Sequence, residues 1–421
     1  MAGGFLLEIR RGTQSALLVI REAGLPSSAV DVSVAADCLE VRRGESREAA
    51  ALPAEVRLVP ASCRGLLRLP GEGLHLRMRL RRPPPSADLI FTLRESLKPQ
   101  KNYVFSCQSC GDVIVKDRKF LRVLPLPSEN WSALVEEWCC HPDPFARSTL
   151  YPQHDDCFLG DTFFLLNSGN ESHVPESPMC CSETGHHASQ TGPNMKSKEN
   201  TRVICKRCKT MLGETVSSDT IKYYVTEVTI RPSERSFSPT PRSQFVQSMV
   251  AQILVELSSA KSTFRFTVTG DNGKIYILMW LLNSDTLLVE SLGSSSSHSV
   301  FTLFGDIFMP SSGPVGTWSA VKVLYQPCIK SRNKDIADAW ENDIGVHPLK
   351  FPSETCMELL LILGLSTASL PPSLRYLNSF QEARLPQLNA GIGVLGDFEG
   401  KRLPEFSPFI SVPTVGHMVW S

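Results

Sequence analysis

Short apolar runs recur along the first quarter of the chain, at residues 5–9, 16–20, 30–34, 56–59, 66–69 and 74–80. Turn formers separate them: Gly12, Gly24-Leu25-Pro26, Gly44 and Pro70-Gly71-Glu72-Gly73. Runs of this length bounded by glycine and proline read as β-strands, and the strict alternation from Leu74 to Leu80 is the period of a strand with one face buried. His75 falls on the polar face of that strand and is expected to be solvated. Residues 1–102 are therefore expected to form an all-β unit, a sandwich or barrel. Pro83-Pro84-Pro85 marks a stiff loop or boundary within it.

Strand-like runs continue at 113–115, 120–124 and 221–230, and a loop at Cys157-Phe158-Leu159-Gly160-Asp161 enters a buried run to Leu166. Between them, Ser128 can cap a short amphipathic helix carrying Trp131, Leu134 and Trp138, which Pro142 and Pro144 stop. Residues 168–200, rich in Ser, Asn, Glu, His and Pro, read as a disordered loop. Its Cys180-Cys181 and His186-His187 are not expected to form a metal site. The period then changes. Phe245, Met249, Val250, Ile253, Leu254 and Leu257 recur at helical spacing and predict a helix with one apolar stripe, usually core but also able to meet a partner. A hairpin follows at 264–268 and 275–282 about Asp271-Asn272-Gly273. A strand at 318–324 and a short helix at 336–340 complete an α+β unit over 242–348. Beyond Phe380 no clear element is expected, and 386–421 reads as a flexible tail.

Composition narrows the class. The chain has 421 residues, enough for two or three domains, with 43 basic and 43 acidic side chains and 42% hydrophobic residues. Neither nucleic acid nor a membrane surface is implied by that balance. The N-terminal residues lack a basic region and a long apolar run, so no secretory signal is expected, and no stretch reaches the length of about 18 that spans a bilayer. Thirteen cysteines then read as metal ligands, buried thiols or nucleophiles in a reducing compartment, cytoplasm or nucleus.

Two pairs carry the strongest signal. Cys107-Gln108-Ser109-Cys110 and Cys205-Lys206-Arg207-Cys208 are CxxC knuckles, and two knuckles supply the four thiolates of a tetrahedral structural Zn²⁺. The competing reading is two unrelated turns with free thiols; no βαβ pattern supports a redox dithiol. A shared ion would make 103–230 a zinc-stapled β-unit with a long insertion, so that the whole chain is α+β: a sandwich- or barrel-like start, the stapled unit, and a C-terminal α+β domain. Cys139, Cys140 and His141 stand at a helix end before Pro142, either packing that end or offering a soft ligand to a partner's metal. Cys356 follows Thr355 at the start of an apolar run. A helix dipole there would lower its thiol pKa and favour attack on thioesters, whereas a buried structural cysteine is the default reading.

Taken together, the stretches 103–111, 124–131, 137–146, 157–161, 203–214 and 351–360 closely resemble the HECT-like, E2-binding E3 ubiquitin-protein ligase family, from about Leu6 to Phe380. The resemblance implies that ubiquitin is accepted from a ubiquitin-conjugating enzyme, the mitotic one in particular, and passed to lysines of targets such as cyclin B. It implies that 231–253, with Phe245, Met249 and Ile253, contacts the conjugating enzyme, and that 349–385 is the HECT-like part with Cys356 as nucleophile. It also implies a rival function. Residues 131–160 are similar to a motif that plugs the zinc site of metallo-β-lactamase-type pre-mRNA 3′-end endonucleases, with Cys140 donated to the nuclease metal and Trp138, Cys139, His141, Pro142 and Phe145 around it. The CxxC pairs also resemble those of β-tent zinc folds, where Leu-Gly follows the second pair as Leu212-Gly213 does here.

Overall fold

The computed structural model describes residues 4–21, 30–43, 46–81, 97–126, 151–168, 201–233, 240–291, 315–329 and 333–387. Strands open the chain: β1 (Phe5–Arg10), β2 (Ser15–Arg21), β3 (Val30–Val34), β4 (Cys38–Arg43), β5 (Ser46–Ala51), β6 (Leu58–Leu69) and β7 (Gly73–Leu80), the last with the alternating burial its sequence predicts in its second half. The cysteine-bearing stretch gives β8 (Asn102–Cys107), β9 (Val113–Lys119), β10 (Arg122–Pro125), β11 (Asp156–Leu159), β12 (Phe163–Asn167), β13 (Arg202–Ile204), β14 (Met211–Thr215), β15 (Thr220–Tyr224) and β16 (Val228–Pro232). Then come α1 (Arg242–Lys261), β17 (Arg265–Gly270), β18 (Ile275–Ser291), β19 (Val315–Pro327), α2 (Lys334–Glu341), β20 (Val346–Phe351), α3 (Ser353–Ser369), β21 (Tyr376–Leu377) and β22 (Phe380–Pro386). The chain is largely β with three α-helices among the described residues, an α+β fold. None of these helices is long and apolar enough to cross a membrane.

One sheet runs from β6 through β7, β2, β1, β18, β19 and β22 to β21, with β17 on the first half of β18 and β20 parallel to β17. Strand β18 makes this continuity possible because it changes partner along its length. Its first half pairs with β17, Phe266 opposite Met279, and its second half pairs with β1, Phe5 opposite Ser291. Between them the register shifts at Asn283, whose side-chain oxygen accepts from the backbone N–H of Asp285, so the strand bends there. Three smaller sheets complete the fold: β3–β4–β5, whose Leu39, Val41 and Ala50 share a core with Leu7, Ile9 and Leu18; the sheet β16–β8–β9; and the six-stranded sheet β10–β11–β12–β15–β14–β13.

Helices α1 and α3 pack on each other and on β22. Their core is shared with the cysteine-bearing sheets: Phe105, Phe164 and Tyr223 belong to the same cluster as Met249, Leu254, Met279 and Leu363. This explains why α1 departs from the single stripe expected of it. It is buried on several sides, including Gln247 and Ser248, because sheets and a helix surround it.

Three other expectations are corrected. The run at 221–230 is two strands in two sheets, with Glu227 N–H donating to Tyr224 O in the turn between them. His75 is 8% exposed rather than solvated; burial holds its pKa down against the pull of Glu72, 3.5 Å away. Beyond Phe380 the chain continues as β22, a strand hidden from a hydrophobicity reading because its buried Glu382 and Arg384 pair with Lys322 and Glu8.

Candidate metal centre and the Cys356 helix

The two knuckles fold alike because each places its cysteines on the same turn. In the first, Cys107 N–H donates to Asp112 O and Gly111 N–H to Cys107 O; in the second, Cys205 N–H donates to Thr210 O and Lys209 N–H to Cys205 O. The fifth residue of each turn is left-handed, Gly111 with φ 75° and Lys209 with φ 64°. Strands β8 and β13 deliver the turns face to face, so that the sulfurs of Cys107 and Cys208, and of Cys110 and Cys205, lie 3.6 Å apart. All four sulfurs are within 4.8 Å of one another. A tetrahedron with metal–sulfur bonds of about 2.3 Å has edges of roughly 3.8 Å, so this group could hold a metal ion.

The thiols sit in unlike surroundings. Burial raises the Cys107 and Cys110 thiols, while at Cys208 hydrogen bonds from Thr210 and from the neighbouring cysteines outweigh burial and bring the pKa down to about 6. Gly213 holds the second knuckle against its sheet. A Cβ at this position would lie 1.9 Å from Lys222 O, so β14 can approach β15 only with glycine here.

At Cys356 the structure differs from what the dipole argument expects. Pro352 leads into α3, and Asp271 of the hairpin turn caps it, accepting from Ser353 N–H at 2.9 Å and held by Arg202 at 2.6 Å. Cys356 lies in the first turn as expected, but it is 0% exposed, with Sγ 3.9 Å from Phe351 O. Burial pushes its pKa up to about 12, and the carboxylates of Asp271 and Glu227 push the same way. Desolvation therefore wins over the dipole, and the expected lowering of the thiol pKa is overturned.

Phe245, Met249 and Ile253 are 1%, 3% and 5% exposed, in the central core. Trp138, Cys139, Cys140, His141, Pro142 and Phe145 lie outside the described residues, as do Cys180-Cys181, His186-His187 and most of the tail. The segments on either side of 127–150 are paired. Strand β10 runs parallel to β11, Leu126 N–H donates to Leu159 O, and Arg122 grips Asp156 through two 2.8 Å bonds, so the connection 127–150 leaves and returns on neighbouring strands.

Sequence reasoning misses the groups that join these regions. Glu227, 1% exposed, accepts from Thr226 Oγ1 at 2.8 Å, Thr355 Oγ1 at 2.6 Å and Arg242 Nη2 at 3.0 Å. Arg242 also reaches Glu358 and Thr226 O. Asp161 binds Lys261 at the end of α1 and His347 on β20, and these partners overcome burial to hold its pKa at about 2. Along the chain only an acidic residue beside Thr226 or after Gly160 is visible, with nothing to show what it meets.

The family model described as HECT-like ubiquitin-conjugating enzyme (E2)-binding matches residues 8–382. The chain is 54% identical over 382 residues to a Bos taurus protein named as an E3 ubiquitin-protein ligase, covering 90% of this chain and 97% of that protein. It is likewise 54% identical over 387 residues to the Homo sapiens protein of the same name, with the same coverage, and 54% identical over 379 residues to that of Mus musculus, covering 90% and 96%. No solved structure matches it.

Proposed function

Because this chain belongs to the HECT-like E2-binding family, we propose that it is an E3 ubiquitin-protein ligase that binds a ubiquitin-charged conjugating enzyme and promotes transfer to a substrate lysine. The observation that carries this is the family match across nearly the whole chain, supported by relatives named as ligases at 54% identity. The resemblance suggests the mitotic conjugating enzyme as donor, cyclin B as a substrate, and action in cytoplasm and nucleus.

The geometry favours direct transfer. A relay thiol must reach the incoming thioester as a thiolate, whereas Cys356 is enclosed, protonated at neutral pH and beside two carboxylates. In this reading Cys356 is a core thiol, and the protein acts by holding donor and acceptor together. We assign Zn²⁺ to the four-cysteine group, since a closed set of four thiolates is the chemistry of a structural site. The zinc takes no part in the transfer.

The test is single-turnover discharge of the ubiquitin-charged mitotic enzyme, resolved on a non-reducing gel, with wild type and Cys356→Ala. Equal discharge without a thiol-sensitive adduct is the expected result. An adduct present in wild type and missing in the variant would establish the relay instead. The resemblance of 131–160 to a nuclease-plugging motif supports a second reading, in which Cys140 plugs the zinc site of a 3′-end endonuclease. Its signature is loss of nuclease inhibition in Cys140→Ser with ubiquitin discharge unchanged.

A further inference from the structure

The turn Tyr224–Val228 links two sheets and touches both the first knuckle and the start of α3. From the first knuckle, Gln108 N–H donates to Glu227 O at 2.9 Å, and the Gln108 side-chain amide donates to Thr240 O, just before α1, at 2.9 Å. Gln108 lies between two of the metal-site cysteines, so its position is set by how Cys107 and Cys110 are held. Glu227 in turn presents a buried carboxylate to the start of α3 through Thr355, the residue before Cys356, and to the start of α1 through Arg242. Arg242 closes the circuit onto Glu358 in α3.

We propose that the Glu227–Arg242 pair is a latch through which the four-cysteine centre holds the first turn of α3 closed over Cys356. The physical reason is that the pair ties three segments to one buried carboxylate: Glu227 accepts from Thr355 at the start of α3 and from Arg242 at the start of α1, and Arg242 also holds Glu358 and Thr226 O. Ser353 is capped by Asp271 from the hairpin side, but Thr355 finds its acceptor only in Glu227 among the described residues. A buried carboxylate that loses its guanidinium is left as an uncompensated charge, which favours opening of the segment packed on it, the start of α3. Relaxing the knuckle moves Gln108, which loosens the Glu227 backbone, and the turn carrying Thr355 and Cys356 opens. The latch operates whether or not Cys356 ever carries ubiquitin, so it goes beyond the ligase reading.

Alkylation of Cys356, read by peptide mass spectrometry on the full-length metal-loaded chain, tests this directly. Cys157 is the internal control, an equally buried thiol on β11 that the latch does not touch. In Glu227→Gln and Arg242→Met, the Cys356 rate should rise on the order of tenfold, by local opening, with bound metal retained and Cys157 still protected. Chelation of wild type should speed Cys356 labelling, and chelation of Arg242→Met should add little for Cys356, because the connection is already cut. Arg242→Lys, which keeps the charge but not the forked contacts, should fall between wild type and Arg242→Met; it serves as the readout if Arg242→Met does not fold. Protection of Cys356 in both Arg242→Lys and Glu227→Gln would overturn the proposal. So would Cys356 and Cys157 becoming reactive together, which is global unfolding rather than a latch.

Discussion

The four-cysteine cluster and the Cys356 turn both stand out in the sequence by the placing of cysteines, yet the fold gives their sulfurs opposite surroundings: a convergent group that could hold a metal at the knuckles, and at Cys356 the buried thiol of the default reading rather than an activated one. At the knuckles, four sulfurs converge within 4.8 Å, and hydrogen bonding draws the Cys208 thiol down to about 6. At Cys356 a single sulfur meets a backbone carbonyl and two nearby carboxylates, and its thiol is held at about 12. The difference lies in what the spacing constrains. A pair of CxxC turns fixes the mutual geometry of its own ligands, whereas a helix N-terminus fixes one dipole and leaves burial and neighbouring charges to the rest of the fold.

Metal loss is the harshest test of the first half of that comparison. Cys205→Ser, or chelation of wild type, should abolish metal binding and lower the thermal midpoint by on the order of 10 °C, since structural zinc sites contribute many kcal/mol to small folds. Metal analysis with circular dichroism checks it. A variant that keeps its midpoint would place the cysteine-bearing sheets outside the metal's control.

Two glycines sharpen the comparison at lower cost. Gly213→Ala drives a Cβ into Lys222 O, a backbone atom that cannot step aside, so denaturant unfolding should show about 3 kcal/mol or more lost, with weaker metal retention. Gly364→Ala on α3 meets nothing within 4 Å and should stabilise by about 0.5–1 kcal/mol. Equal effects at the two sites would remove the contrast between a constrained knuckle and a tolerant helix.

Burial alone does not decide a side chain's protonation, and Glu8 shows it. Burial raises its pKa, but Arg384, Lys322 and Arg10 more than compensate and bring it from 4.5 to about 2. A depressed carboxylate stabilises the fold above its unfolded pKa, and that stability is lost as pH falls through the folded value. About 3 kcal/mol should therefore disappear between pH 4.5 and about 2. Glu8→Gln should lose stability already at neutral pH and flatten this acid limb. An unchanged limb in denaturant titrations at several pH values would show that the buried cations do not act through Glu8.

How much is legible along the chain follows from the same distinction. Apolar runs and helical spacing locate β1, β2, β7, the β17–β18 hairpin and α1, because the apolar residues of each are largely buried in the fold. The pairing of β1 with β18 is not legible, since it rests on a bend at Asn283 far along the chain. Nor is β22, whose buried Glu382 and Arg384 look like solvent-facing residues until Lys322 and Glu8 are beside them. The knuckle cysteines are legible from spacing; Glu227 and Arg242, distant in sequence from the turn they support, are not.

The smallest effect probes Cys356 itself. At neutral pH, Cys356→Ala removes one buried sulfur and should cost about 1 kcal/mol, as small core truncations do. The sign changes on the alkaline side. A thiol whose folded pKa is raised from 9.0 to about 12 leaves stability intact below 9.0, but the unfolded chain ionises first as pH climbs, so wild type loses stability in that window. By pH 10 that loss amounts to about 1 kcal/mol, enough to cancel the variant's deficit. Denaturant midpoints of the two proteins should thus converge between pH 8 and 10. Parallel curves would mean that Cys356 ionises at its ordinary pKa in the folded chain, and the turn would have to be more open than its contacts with Phe351 and Glu227 allow.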